Sequence, residues 1–145
     1  MSKPSVVVFD PDCAAALVDH AVEGMPAEVC GVLGGNRADD EFHIECSIRV
    51  TNTAETPRSR YRLDPAEHLA AMQRIEEADR EVIGFYHSHS DGPPTPSPID
   101  RADATWPGAL YVIVAPNNEP VIGAWRWDGT AECFESLAVR RGRID

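Results

Sequence analysis

Apolar residues recur along this chain with two different periods, and the switches between them outline its elements. The apolar run Val6 to Phe9 belongs to a first strand, Ser5 to Phe9, and Asp10-Pro11 then reads as an N-cap with proline in the first helical turn. A helix is expected from there to about Glu23, with Gly24 ending it. Its buried face should hold Ala14, Leu17, Val18, Ala21 and Val22, which recur at intervals of three and four. Val29 to Leu33, closed by Gly34-Gly35, reads as a buried strand with Glu28 at its mouth. The polar stretch Asn36 to Glu41 is a hairpin-like connection, and Phe42 to Val50 alternates as a strand.

Beyond the polar loop Thr51 to Arg60, Asp64-Pro65 repeats the helix-start signal. Leu69, Met72 and Ile75 mark the buried stripe of this second helix, which should end near Asp79. Val82 to Tyr86 is a short, nearly all-apolar strand that delivers the chain to His87. Ser90 to Pro98 is too rich in proline and glycine for regular structure, and a short helix capped by Ser97 should run from Pro98 to about Thr105. Strands at Ala109 to Ala115 and Val121 to Trp127, a turn at Asp128-Gly129 and a last strand around Ala131 to Leu137 complete the pattern. The tail from Arg140 to Asp145 is expected to fray, leaving one domain over 1–139. The resulting fold class is α+β, a mixed or mostly antiparallel sheet with a few helices against it.

Composition narrows the functions available. A chain of 145 residues with 43% hydrophobic and 26% charged residues has the length and balance of one soluble globular domain. No apolar stretch reaches the length of a membrane span, and the run at Val6 to Phe9 is too short for a secretory signal, so the expected location is cytoplasmic. A net charge of -11 disfavours nucleic acid and anionic membrane as partners. A basic partner, life at high salt and a simple solubilising surface all remain compatible with it, and the oligomeric state is left open. Cys13, Cys30, Cys46 and Cys133 lack CxxC spacing, so they read as small buried hydrophobes rather than a zinc cluster or a disulfide framework.

The densest chemistry lies in His87-Ser88-His89, Ser97 and Asp100. A catalytic zinc takes three nitrogen or oxygen ligands and leaves one position open for water. Two residues apart on extended backbone, His87 and His89 project to the same side, while Ser88 points away. Asp100, in the first turn after a stiff loop, can return to the same point and complete the set. A carboxylate outside the ligand set is then needed to move the proton of the attacking water, and Glu28 is the candidate.

His-Ser-His, seven residues, Ser, two residues, Asp, with an upstream Glu in Pro-x-Glu-x-Cys-Gly, resembles the JAMM motif of the MPN+ metallopeptidases. The resemblance implies an MPN-like, cytidine-deaminase-like domain in which about three helices pack a central mixed sheet. It also implies one Zn2+ per chain on His87, His89 and Asp100, with Glu28 as general acid/base and Ser97 as a hydrogen-bond donor to the water or the developing oxyanion. Within the family the chain is most similar to short bacterial members such as the CysO-cysteine peptidase, through the segment Tyr61-Arg62-Leu63-Asp64 and the strand ending Tyr86-His87-Ser88-His89. The substrate so implied is a ubiquitin-like or sulfur-carrier protein, cut at a peptide or isopeptide bond at its C-terminus. Such a tail could add as a strand to a sheet edge beside the site.

The rival reading is a non-catalytic MPN-type scaffold, which typically loses one or more of these ligands. A zinc deaminase would need a Pro-Cys-x-x-Cys signature, which does not occur, and the HExxH of the zincins is missing too. His20, His43 and His68 read as structural or solvated, Asp39, Asp40, Asp91 and Asp103 as solvated, and Trp106, Trp125 and Trp127 as core or edge packing. Arg58 and Arg60 are expected to face a substrate carboxylate through their forked guanidinium groups.

Overall fold

Strand pairing between distant parts of the chain sets the architecture. The computed structural model describes residues 4–117 and 119–142. In chain order the elements are β1 (Val6–Phe9), α1 (Pro11–Gly24), β2 (Cys30–Ala38), β3 (Glu41–Val50), α2 (Pro65–Glu77), β4 (Glu81–Ser88), α3 (Pro98–Asp103), β5 (Leu110–Ala115), β6 (Val121–Asp128) and β7 (Cys133–Arg141). The expected mixed sheet and three helices are present. The sheet, however, closes into a barrel in the order β1-β3-β2-β4-β5-β6-β7, because β1 pairs in parallel with both β3 and β7. Closure leaves no edge strand among the described residues for a substrate tail to extend. No helix of the described residues is long and apolar enough to cross a membrane.

The two faces of the barrel wall explain the long apolar runs. All seven strands send side chains to one cluster on the inner face, including Phe9, Leu33, Ile44, Tyr86, Val112, Ala124 and Leu137, and α1 adds Cys13, Ala14, Leu17 and Ala21. A second cluster on the outer face joins Val32, Phe85, Tyr111 and Trp127 to Ala71 and Ile75 of α2. Because β5 is covered on both sides, all six of its residues (LYVIVA) are buried, and the sequence shows an unbroken run where a half-exposed strand would alternate. Gly84 is required where β4 meets β5, since a Cβ there would lie 1.9 Å from the Leu110 carbonyl oxygen. That parallel contact sets the end of β4 against β5.

Several boundaries differ from the sequence expectation. Strand β2 runs through Gly34-Gly35, which form a bulge, and the hairpin to β3 is the two-residue turn Asp39-Asp40, with Asp39 at φ 56°. Arg140 and Arg141 belong to β7, paired with Val8 and Phe9, so the expected fraying does not begin at Arg140. The expectation for 143–145 lies outside the described residues. Val22 and Leu69 complete their helical stripes on paper, yet they are 51% and 58% exposed. In each helix a smaller neighbour, Ala21 or Ala71, is buried where the larger side chain is not.

Candidate functional site

His87 is the penultimate residue of β4 and points to the outer face, as Phe85 does, while Tyr86 between them points inward. His89 follows just beyond the strand, with its amide still held by the Val114 carbonyl of β5 at 2.9 Å. The proline-rich loop is tacked to β6 where the Trp125 indole donates to the Pro94 carbonyl at 3.1 Å, so Trp125 anchors the loop as well as packing. Ser97 caps α3 and Asp100 completes a capping box, with Asp100 N–H donating to Ser97 Oγ at 3.1 Å and Ser97 N–H donating to Asp100 Oδ2 at 2.9 Å.

These elements bring three donor atoms to one point. His87 Nε2 lies 3.2 Å from His89 Nε2 and 3.2 Å from Asp100 Oδ2, and His89 Nε2 lies 3.0 Å from the same oxygen. Three donors at about 2.0–2.1 Å from a tetrahedral zinc stand about 3.3 Å apart, so the triangle matches one face of such a site. Tautomers point the same way. His89 Nδ1 bonds the Pro93 carbonyl at 2.9 Å, and a carbonyl can only accept, so Nδ1 carries the proton and Nε2 turns its lone pair to the triangle. A lone pair facing a carboxylate at 3.0 Å requires a positive charge between them, either a proton or a metal ion.

Burial and charge act together on these groups. Burial alone would raise the Asp100 carboxyl, but the two histidines and the Ser97 amide outweigh it and hold it well below the usual carboxylate range. Burial lowers His87. It also acts to lower His89, whose hydrogen bonds to Asp100 and the Pro93 carbonyl prevail and raise it. Glu28, whose carboxylate comes within 4.8 Å of both ring nitrogens, is pushed up to about 7 by burial first and by Asp100 next, against the pull of His89. Its Oε1 is buried without a hydrogen-bond partner, which leaves one carboxylate oxygen uncommitted beside the triangle.

The backbone of Glu28 is clamped by residues the sequence reading left out of the site. Its N–H donates to the Pro57 carbonyl at 2.7 Å, and its carbonyl accepts from Asn52 Nδ2 at 2.9 Å. On either side of it, Val29 N–H donates to Ser88 Oγ at 2.9 Å, and Ser90 Oγ donates to the Pro26 carbonyl at 3.0 Å. Ser88 thus points away from the triangle, as expected, but fixes the segment that carries Glu28. Ser88→Ala leaves a buried amide unsatisfied and is expected to lower unfolding free energy by about 1–3 kcal/mol, measurable by urea denaturation.

A cavity of about 790 Å³ opens next to the triangle, lined among others by Tyr61, Leu63, His68, Phe85, Trp106 and Tyr111. The Tyr61 ring stacks on His87 with centroids 4.2 Å apart and planes 19° apart, so the same ring lines the cavity and abuts the triangle. Trp106 and His68 belong to this lining, and only Trp127 of the three tryptophans is buried. Arg60 and Asp103, expected to be free for a carboxylate and solvated, form a two-pronged ion pair at 3.0 and 2.8 Å across the rim. His20 bonds the Tyr86 hydroxyl and His43 bonds Glu41, in keeping with structural roles. All four cysteines are free, Cys13 and Cys30 are buried, and Cys133 is exposed where a buried position was expected.

Residues 10–128 match the family described as prokaryotic homologs of the JAB domain. The chain is 40% identical over 132 residues to a desampylase of Haloferax volcanii, covering 88% of this chain and 91% of that protein. It is 39% identical over 110 residues to the CysO-cysteine peptidase of Mycobacterium tuberculosis, covering 76% and 73%. A solution structure of a protein from Desulfitobacterium hafniense superposes with a TM-score of 0.85 over 95% of this chain and 94% of that one, at 24% identity, and so shares the fold.

Proposed function

The chain belongs to the prokaryotic JAB-domain family, and from that premise we propose that it is a zinc-dependent isopeptidase acting at the C-terminus of a ubiquitin-like or sulfur-carrier protein. Relatives named desampylase and CysO-cysteine peptidase support hydrolysis of such conjugates. The observation that carries the reading is the triangle of donors 3.0–3.2 Å apart with an uncommitted Glu28 oxygen beside it. His87, His89 and Asp100 would hold the zinc within an MPN-like, cytidine-deaminase-like domain. When bound there, zinc supplies Lewis acidity, polarising a carbonyl and making water acidic near neutral pH.

Each remaining step falls to a residue of this chain. Glu28 takes the proton of the attacking water and returns it to the leaving amine. Ser97 Oγ accepts from the Asp100 amide and keeps its own proton to donate to the developing oxyanion. Asp100 stays ionised through its two histidines and the Ser97 amide, and His89 is oriented by Pro93. The carrier tail lies in the cleft between the 53–63 segment and Trp106, because the closed barrel offers it no strand edge. All five positions of the motif are present, so no observation favours the scaffold reading.

The test is a pair of conjugates of one carrier ending in Gly-Gly, joined either to a lysine ε-amine or by a peptide bond to cysteine. Zinc-loaded protein is expected to release the carrier with its C-terminal carboxylate restored, read by intact mass. Both conjugates surviving a stoichiometric amount of protein would exclude the proposal.

A further inference from the structure

Asn52 stands where β3 gives way to the loop before α2, and its side-chain amide makes four hydrogen bonds. Nδ2 donates to the Glu28 carbonyl at 2.9 Å and the Arg60 carbonyl at 3.1 Å. Oδ1 accepts from the Ala54 and Arg62 amides, both at 3.0 Å. Two donors and two acceptor lone pairs are the full capacity of an amide. The group cannot be turned round, because the two carbonyls only accept and the two backbone amides only donate.

These partners belong to the two segments the proposed chemistry depends on. One is Glu28 itself. Two of the others, Arg60 and Arg62, bracket Tyr61, the ring stacked on His87, from both sides. A single half-buried planar group therefore fixes the distance between the proton carrier and the wall that supports a ligand histidine. Resting on the reading of Glu28 given above, we propose that Asn52 is a positioning residue that holds Glu28 and the Tyr61 platform as one unit.

Two substitutions separate the two arms. Asn52→Asp keeps acceptor oxygens for Ala54 and Arg62 but loses both donors, so Glu28 is released while Tyr61 stays bracketed from one side. Asn52→Ala releases both. Asn36→Ala serves as control for general destabilisation, since Asn36 bonds only Glu45, at 2.6 Å, among its described side-chain hydrogen bonds, on the far part of β2. Thermal unfolding, kcat and KM on the lysine conjugate, and Zn2+ affinity by chelator competition are measured for all three.

Asn52→Asp is expected to lower kcat at least about tenfold with KM within about twofold and Zn2+ affinity near that of the unsubstituted protein. Asn52→Ala should lose kcat similarly and also weaken Zn2+ about tenfold, in the range found for residues that support metal ligands from behind. Unchanged kcat in Asn52→Asp, or losses in both variants that merely follow thermal stability along the line set by Asn36→Ala, overturn the proposal. If the unsubstituted protein cleaves neither conjugate, the isopeptidase reading fails separately. The Tyr61 arm is then still decided by Zn2+ affinity, and equal affinity in Asn52→Ala and the unsubstituted protein rejects it.

Discussion

Asp100→Ala is expected to lose zinc and all measurable turnover together. The substitution removes the one anionic donor of the triangle and leaves two imidazoles whose Nε2 atoms face each other at 3.2 Å. Its Oδ2 is shared by both histidines and by the Ser97 amide, so the substitution takes a partner from all three at once. Zinc affinity should fall by more than about 100-fold, because even residues that only orient ligands contribute about 10–100-fold. The capping box is broken as well, which costs about 1 kcal/mol at the start of α3. Asp100→Asn separates the two effects, keeping an oxygen for the cap while removing the charge. Metal analysis after dialysis is expected to find zinc depleted in both variants, with only Asp100→Ala showing the loss of stability. Zinc retained at one equivalent in Asp100→Ala would remove Asp100 from the ligand set.

Glu28→Gln is expected to give the opposite combination, full zinc with almost no turnover. Gln preserves the shape of the side chain and cannot exchange a proton, so the loss should equal what a positioned general acid/base contributes, about 10²–10⁴-fold in kcat. The proposed ligands are untouched, since the triangle closes on His87, His89 and Asp100 without Glu28. Folding should suffer little. The Glu28 backbone is held by Asn52 and Pro57 whatever its side chain, and burial already shifts the carboxyl toward its neutral form. Zinc content and kcat measured on the same preparation check this. Wild-type kcat in the variant would assign the proton transfer to another residue.

Much of the site was legible because its chemistry follows chain geometry. His87 and His89 share a face through the period of two in extended backbone, and the Ser97 cap places Asp100 one helical turn on, where its carboxylate returns to them. Elements with a strong start signal were equally clear, and both Asp-Pro pairs begin helices at Pro11 and Pro65. Barrel closure was not, since β1 and β7 meet from opposite ends of the chain and no periodicity reports which strands will pair. The hydrogen-bonding roles of Ser88, Ser90 and Asn52 escaped notice for a related reason. Each acts on distant backbone, through hydrogen bonds that leave no mark on the hydrophobic pattern. The Arg60 and Asp103 side chains read as free because the residues that pair them lie in separate polar segments.

The central claim is that one zinc, on His87, His89 and Asp100, is required for cleavage. Stripping the protein with a chelator, confirming its fold by circular dichroism and titrating zinc back while following release of the carrier from its lysine conjugate tests it most directly. Turnover should be absent in the stripped protein and rise in proportion to zinc up to one equivalent per chain. Full turnover in the folded, stripped protein would contradict the account.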